Sequence, residues 1–216
     1  MIIDIFCDSI NHPILPHLED WIIAINSDDD KTAKLCTMKD KLEGGDLLFL
    51  ISCNQIINQD IRKLYTRSLV IHESDLPKGR GWSPLVWQIV EGRDEIVLSM
   101  FEAADSVDTG DIASKTILRL DGIETYDEIN AKLFKVKLGM MTFAVENFNL
   151  LTFVAQDSSQ EPSYYRKRTP DDSELDITKS IESQINLLRI CDPIRYPAFF
   201  HYRGVKYNIK LEKAKG

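Results

Sequence analysis

The chain has 216 residues, enough for one domain with a small appendage. Its hydrophobic content of 44% supports a core, its charged content of 28% is ordinary, and its net charge is −8. That acidity argues against a nucleic-acid surface, which needs a basic patch, and the longest apolar runs fall short of the roughly 20 residues of a membrane span.

Ile2 to Cys7 reads as a first buried strand. In the loop that follows, Asp8 to Pro13, Asp8, Ser9 and Asn11 can turn the chain or meet a ligand. Leu15, Leu18, Ile22 and Ile25 recur at helical spacing. Thr32 to Met38 is an ambiguous strand. Gly44, Gly45 and Asp46 make a turn, and Leu47 to Ser52 is the strongest buried strand in the chain. Asn58 has the side chain to cap a short helix before Leu64.

Ser68 to Ile71 is a further strand, ended by His72, and a polar loop rich in Pro and Gly runs from Glu73 to Ser83. Pro84 suits the first turn of a helix that Gly92 closes. Glu95 to Phe101 is another strand, followed by a turn carrying Asp105, Asp108 and Asp111. Tyr126 to Phe148 is a long helix, with Asp127 and Glu128 favouring its N-terminal end. Ala155 to Ser163 is a loop, and Tyr164 to Asp176 has no regular period. A second helix, about Ile177 to Ile190, leads to a hairpin around Arg203 and Gly204.

Continuous apolar strands alternating with helices imply an α/β fold with a mostly parallel sheet covered on both faces. There is no G-x-G-x-x-G, so the NAD fingerprint is absent. The widely spaced Cys7, Cys36, Cys53 and Cys191 read as reduced core cysteines. The first residues lack a basic region and a cleavage site, so no signal peptide is expected, and the expected setting is the cytoplasm. His12, His17 and Asp8 lack a partner motif, so no metal is expected.

Ligands of open α/β sheets bind beyond the carboxyl ends of the strands, and His72 lies at such an end. A His and an Asp on two strand ends of one sheet make a base and its orienting carboxylate. A hydrogen-bonded structural histidine is the plainer alternative.

From about Asp46 to Gly122 the pattern resembles the formyltransferase family, which includes methionyl-tRNA formyltransferase and the sugar N-formyltransferases. His72, Ser74-Asp75-Leu76-Pro77, Lys78-Gly79-Arg80-Gly81 and Asp108-Thr109-Gly110-Asp111 follow the family's order and spacing. The family's Asn two residues before its His is here Val70, which has no polar side-chain atom. The resemblance implies a Rossmann-like formyltransferase core over 1–150. It implies a C-terminal extension over 151–216, of loop, helix and hairpin packed on the core, like the tail of the short sugar N-formyltransferases. There is no room for the larger C-terminal domain of methionyl-tRNA formyltransferases, which with the acidity favours an amino-sugar acceptor.

The implied chemistry is transfer of a formyl group from 10-formyltetrahydrofolate, without a metal, to a nucleotide-linked amino sugar. A UDP-4-amino sugar of a pseudaminic-acid-type glycan pathway is the acceptor expected. In this reading His72 stabilises the oxyanion or shuttles protons, and Asp108 orients His72 and accepts the amine proton. Asn54, just past the Leu47–Ser52 strand, either supplies the missing amide or merely turns the chain. Ile51, Ser52 and Cys53 on one side, and Ala103, Ala104, Asp105 and Val107 on the other, flank the folate. Ser74, Lys78, Arg80, Gly81 and Arg168 meet the acceptor. Arg166, Lys167 and Arg168 beside Tyr164 and Tyr165 have the charge to hold a diphosphate and the rings to stack a uracil; a solvated charge run is the other reading. The expected partners are these small molecules, with no nucleic acid and no membrane. Two alternatives stay open: formylation of another amine, on an aminoacyl carrier or tRNA, and a non-catalytic folate- or nucleotide-sugar-binding relative.

Overall fold

The computed structural model of the chain describes residues 1–214. In chain order the elements are β1 (Ile2–Phe6), α1 (Leu15–Ile25), β2 (Thr32–Cys36), β3 (Gly45–Leu50), α2 (Gln59–Arg62), β4 (Tyr65–His72), β5 (Arg80–Gly81) and α3 (Pro84–Val90). Then come β6 (Glu95–Glu102), β7 (Ile112–Arg119), α4 (Tyr126–Glu146), β8 (Tyr164–Tyr165), α5 (Ile185–Ile190), β9 (Ala198–Tyr202) and β10 (Val205–Ile209). The main sheet has the order β2-β1-β3-β4-β6-β7. Its first four strands are mutually parallel, and β6 and β7 are antiparallel. Chain order reverses between β1 and β3, which makes their carboxyl ends a topological switch point.

Each central strand is buried on both faces, which is why it reads as an apolar run rather than an alternation. Ile3, Ile5, Leu47, Phe49, Leu69 and Ile71 face α1 and α4 in the main core, with Leu18, Ile129, Leu133 and Met141. Phe6, Leu48 and Leu50 face the other way, into a smaller cluster closed by Cys36, Leu42, Ile57 and Tyr65. Burial of each such side chain contributes about 2 kcal/mol. A capping box of Thr125 and Glu128 opens α4, and Asn58 caps α2 by accepting the Ile61 N–H. Among the described residues no helix is long and apolar enough to cross a membrane.

Three features depart from the sequence reading. The helix expected over about Ile177 to Ile190 is helical only from Ile185, after a tight turn at Glu182–Gln184. Asp176 accepts the Thr178 N–H at 2.9 Å and Gln184 accepts the Asp176 N–H at 2.7 Å, local bonds that compete with a helix. The strand β7 was not anticipated. Finally, β6 runs antiparallel to β4, with Leu69 opposite Glu102 and His72 opposite Ser99. The chain beyond 150 packs onto the earlier part: Ile190 joins the main core, β8 pairs with β5, and Val154 bridges Ile112. The hairpin of β9 and β10 forms about Arg203 and Gly204 as expected, both at positive φ.

Candidate active site

His72 is the last residue of β4. Strand alternation puts Val70 and His72 on one face, away from Leu69 and Ile71. Val70 packs in the smaller cluster with Phe6, Leu48 and Leu50, beside Cys53 and Ala103. The His72 Nε2 lies 2.9 Å from the Gly79 carbonyl oxygen. A carbonyl only accepts, so Nε2 carries the proton and donates it there. Asp108 Oδ2 is 3.6 Å from the same nitrogen, and the two side chains are only 9% and 11% exposed. Their interaction is correspondingly stronger than in water.

Asp108 arrives by a less direct route than expected. Because β6 is antiparallel, its carboxyl end lies beside Leu69 rather than beside His72, so the pair does not sit on two strand ends at one edge. The chain doubles back through residues 103–110. Asp108 takes a left-handed conformation, φ 55°, which costs a residue with a side chain about 1–2 kcal/mol. Hydrogen bonds hold it there: Asp108 Oδ2 accepts the Gly81 N–H at 2.9 Å. Gln156 Nε2 donates to the carbonyls of Asp108 and Gly110, both at 2.9 Å, and Gln156 Oε1 accepts from Arg80 at 2.6 Å. A Cβ on Gly110 would stand 1.7 Å from the Glu102 carbonyl oxygen, so only glycine passes. Gln156 was missed in the sequence, where it is one polar residue in a polar loop.

On the expected donor side, Ile51 is fully buried and Ser52 has φ 52°. The Cys53 thiol donates to the Phe6 carbonyl at 3.1 Å, and burial pushes its pKa up. Asn54 is tied to Asp8: its N–H donates to the two carboxylate oxygens at 2.9 and 3.1 Å, and its Nδ2 donates at 3.2 Å. Its hydrogen bonds therefore run to Asp8 and not to His72 or Asp108. Across from it, the Ala103 carbonyl accepts from Arg62 at 2.8 Å, Asp105 pairs with Arg62, and Val107 is about half exposed. Ala103 and Ala104 line a cleft of about 340 Å³ with Arg67, Glu102, Asp111 and Phe153.

On the expected acceptor side, Ser74 is buried with a hydroxyl that lacks a partner, and Lys78 is exposed. Arg80 donates to the Tyr164 hydroxyl at 3.2 Å. The pairing of β5 with β8 brings Tyr165 against Gly81, where a Cβ would meet the Tyr165 carbonyl at 2.4 Å. The three cations expected to share a diphosphate are spent differently. Arg166 pairs with Asp172, and Arg168 donates to the Asp172 carbonyl at 2.8 Å. Both lie over the Trp87 ring, at 4.7 and 5.9 Å, while Lys167 lies over Trp82 at 4.7 Å. Of the cations on this side, Arg166 alone has a carboxylate partner among the described residues.

Among the described residues no group of three or more His, Cys, Asp or Glu could hold a metal ion. Burial lowers His12 to about 4, and its Nδ1 accepts the Ile14 N–H at 3.2 Å, so it is a neutral structural residue.

A family model described as formyl transferase matches residues 28–145. The methionyl-tRNA formyltransferase of Flavobacterium johnsoniae is 28% identical over 153 residues, 67% of this chain and 47% of that protein. The chain spans about half the length of the curated relatives such as this that it matches. A methionyl-tRNA formyltransferase structure from Clostridium thermocellum superposes with a TM-score of 0.81 at 23% identity, covering 99% of this chain and 93% of that one. A 4-N formyltransferase from Francisella tularensis gives 0.76 at 21% identity, covering 99% and 98%. At these identities the superpositions show the fold alone.

Proposed function

The chain belongs to the formyl transferase family, and on that premise we propose that it transfers a formyl group from 10-formyltetrahydrofolate to the amine of a nucleotide-linked amino sugar, in the cytoplasm. The observation that carries the reading is the buried His72–Asp108 pair, 3.6 Å apart at the mouth of the sheet. The reduced folate would lie between the peptide groups of Ile51–Asn54 and those of Ala103–Val107; when bound it supplies the formyl group. Backbone donors and acceptors beside apolar side chains suit a flat, polar-edged ring.

Asp108 would accept the proton of the attacking amine, directly or through a water, and return it to the donor nitrogen released when its bond to the formyl carbon breaks. His72 would turn its Nε2 N–H from the Gly79 carbonyl, which holds the ring ready, to the oxygen on which negative charge develops. With Val70 apolar and one N–H of the Asn54 amide given to Asp8, this reading assigns the oxyanion to His72. The acceptor's anionic handle would meet Lys78, Arg80 and Lys167, with Trp82 and Tyr164 offering ring faces. A UDP-4-amino sugar of the pseudaminic-acid type fits those needs.

The methionyl-tRNA formyltransferases among the relatives favour a second reading, an aminoacyl-tRNA acceptor. The net charge of −8 weighs against it. Turnover of the formyl donor with UDP- and dTDP-linked amino sugars, and with methionyl-tRNA, decides: amino-sugar turnover supports the first reading, and turnover of methionyl-tRNA alone replaces it.

A further inference from the structure

One set of buried polar side chains has no part in the chemistry above. Lys137, on α4, is 3% exposed, and its ammonium pairs with the Glu73 carboxylate. Gln88, on α3 and 5% exposed, donates to the Glu73 carbonyl at 2.6 Å and to the Pro84 carbonyl at 3.1 Å. Ser99, fully buried on β6, donates from Oγ to the Ser74 carbonyl at 2.7 Å. It is also the cross-strand partner of His72. Three separate elements thus each send one buried polar group to the two residues directly after His72.

Stability does not account for this convergence. A buried ion pair loses in desolvation much of what it gains in attraction, and a well-packed apolar pair of similar volume is commonly as stable or more so. Burial alone would raise the Glu73 carboxyl; the Lys137 ammonium, with His72 nearby, outweighs it and holds the group below the usual carboxylate range. The pair is therefore charged, and a charged pair in a dry site specifies where its members lie. Glu73 cannot shift without stranding an ammonium, and Glu73 is bonded directly to His72. The carbonyls of Glu73 and Ser74 are held from two further sides.

We propose that Lys137, Gln88 and Ser99 are positioning residues of the transfer site: they clamp Glu73 and Ser74 so that His72 Nε2 stays between the Gly79 carbonyl and Asp108. The catalytic consequence rests on the formyl-transfer reading, but the clamp itself is a statement about the His72 ring.

The test is a charge-free pair, Glu73→Leu with Lys137→Met, compared with Lys137→Arg. The double variant is expected to keep the wild-type melting temperature or exceed it. Its kcat should fall about tenfold or more with KM for both substrates unchanged, the pattern of lost alignment. Lys137→Arg, which keeps the ion pair, should recover most of that loss. In parallel, the His72 ring N–H resonance should move or broaden in the double variant and not in Lys137→Arg. A folded double variant with full kcat and an unmoved resonance overturns the clamp, as does a kcat that falls only in step with melting temperature. The resonance needs no substrate, so a chain that transfers no formyl group while its His72 signal follows the clamp would remove the formyl-transfer reading and leave the clamp standing.

Discussion

His72 ends an eight-residue strand that is paired on both sides, whereas Asp108 sits in a loop. The histidine is placed by the ladder, by strand alternation and by what packs behind β4. The aspartate is placed by a left-handed backbone, one glycine, one peptide N–H and the amide of Gln156. Two groups 3.6 Å apart are thus held by different means. The strand-held one keeps its backbone in the ladder when a neighbour is lost, and only its ring depends on the clamp behind it. The loop-held one depends on each of a few bonds, and loops open more readily than central strands.

Removing either member should have the largest effect. His72→Ala and Asp108→Ala are each expected to lower kcat by a hundredfold or more in a folded protein. Near-normal turnover by either purified variant would end the proposed mechanism.

Changing Gly110 separates the two regions more sharply. Any side chain there must push the loop off the Glu102 carbonyl. Gly110→Ala should cost about tenfold or more in kcat through displaced Asp108, while hydrogen exchange in β3 and β4 stays at its wild-type protection. If β3 and β4 lose protection as well, the loop is not independent of the sheet and the comparison fails.

The smallest effect is expected at Asn54, in the loop that follows β3. Asn54→Ala removes the side-chain bond to Asp8 but keeps the two from the backbone. Donor KM should rise a few-fold with kcat nearly unchanged, as for loss of uniform binding. A kcat that falls much further than donor affinity would instead make Asn54 the oxyanion donor. The second N–H of its amide, which Asp8 does not take, would then be the donor.

Much of the frame was legible in the residues. The apolar runs of β1, β3 and β4, the helical spacing in α1 and α4, the Pro84 and Gly92 ends of α3 and the Arg203–Gly204 hairpin each follow from local preferences. So did the place of His72, because a buried run that stops at a polar residue marks a strand end. The direction of β6 was not legible, since an apolar run has no sign of whether its neighbour is parallel. Nor were β7, the shortness of α5 or the role of Gln156.

By itself the sequence determined which stretches are buried, where they begin and end, and that His72 and Asp108 belong to one pattern. The buried stretches depend on periodicity and turn chemistry, which act over a few residues, and the pairing of His72 with Asp108 rests on the resemblance to the formyltransferase family. The tertiary structure alone decided that Asp108 comes back to His72 through a doubled loop, that Asn54 turns to Asp8 rather than to the reacting groups, and that Glu73 meets Lys137. Those outcomes depend on which distant group satisfies each buried donor and acceptor, and that pairing exists only once the chain has closed on itself.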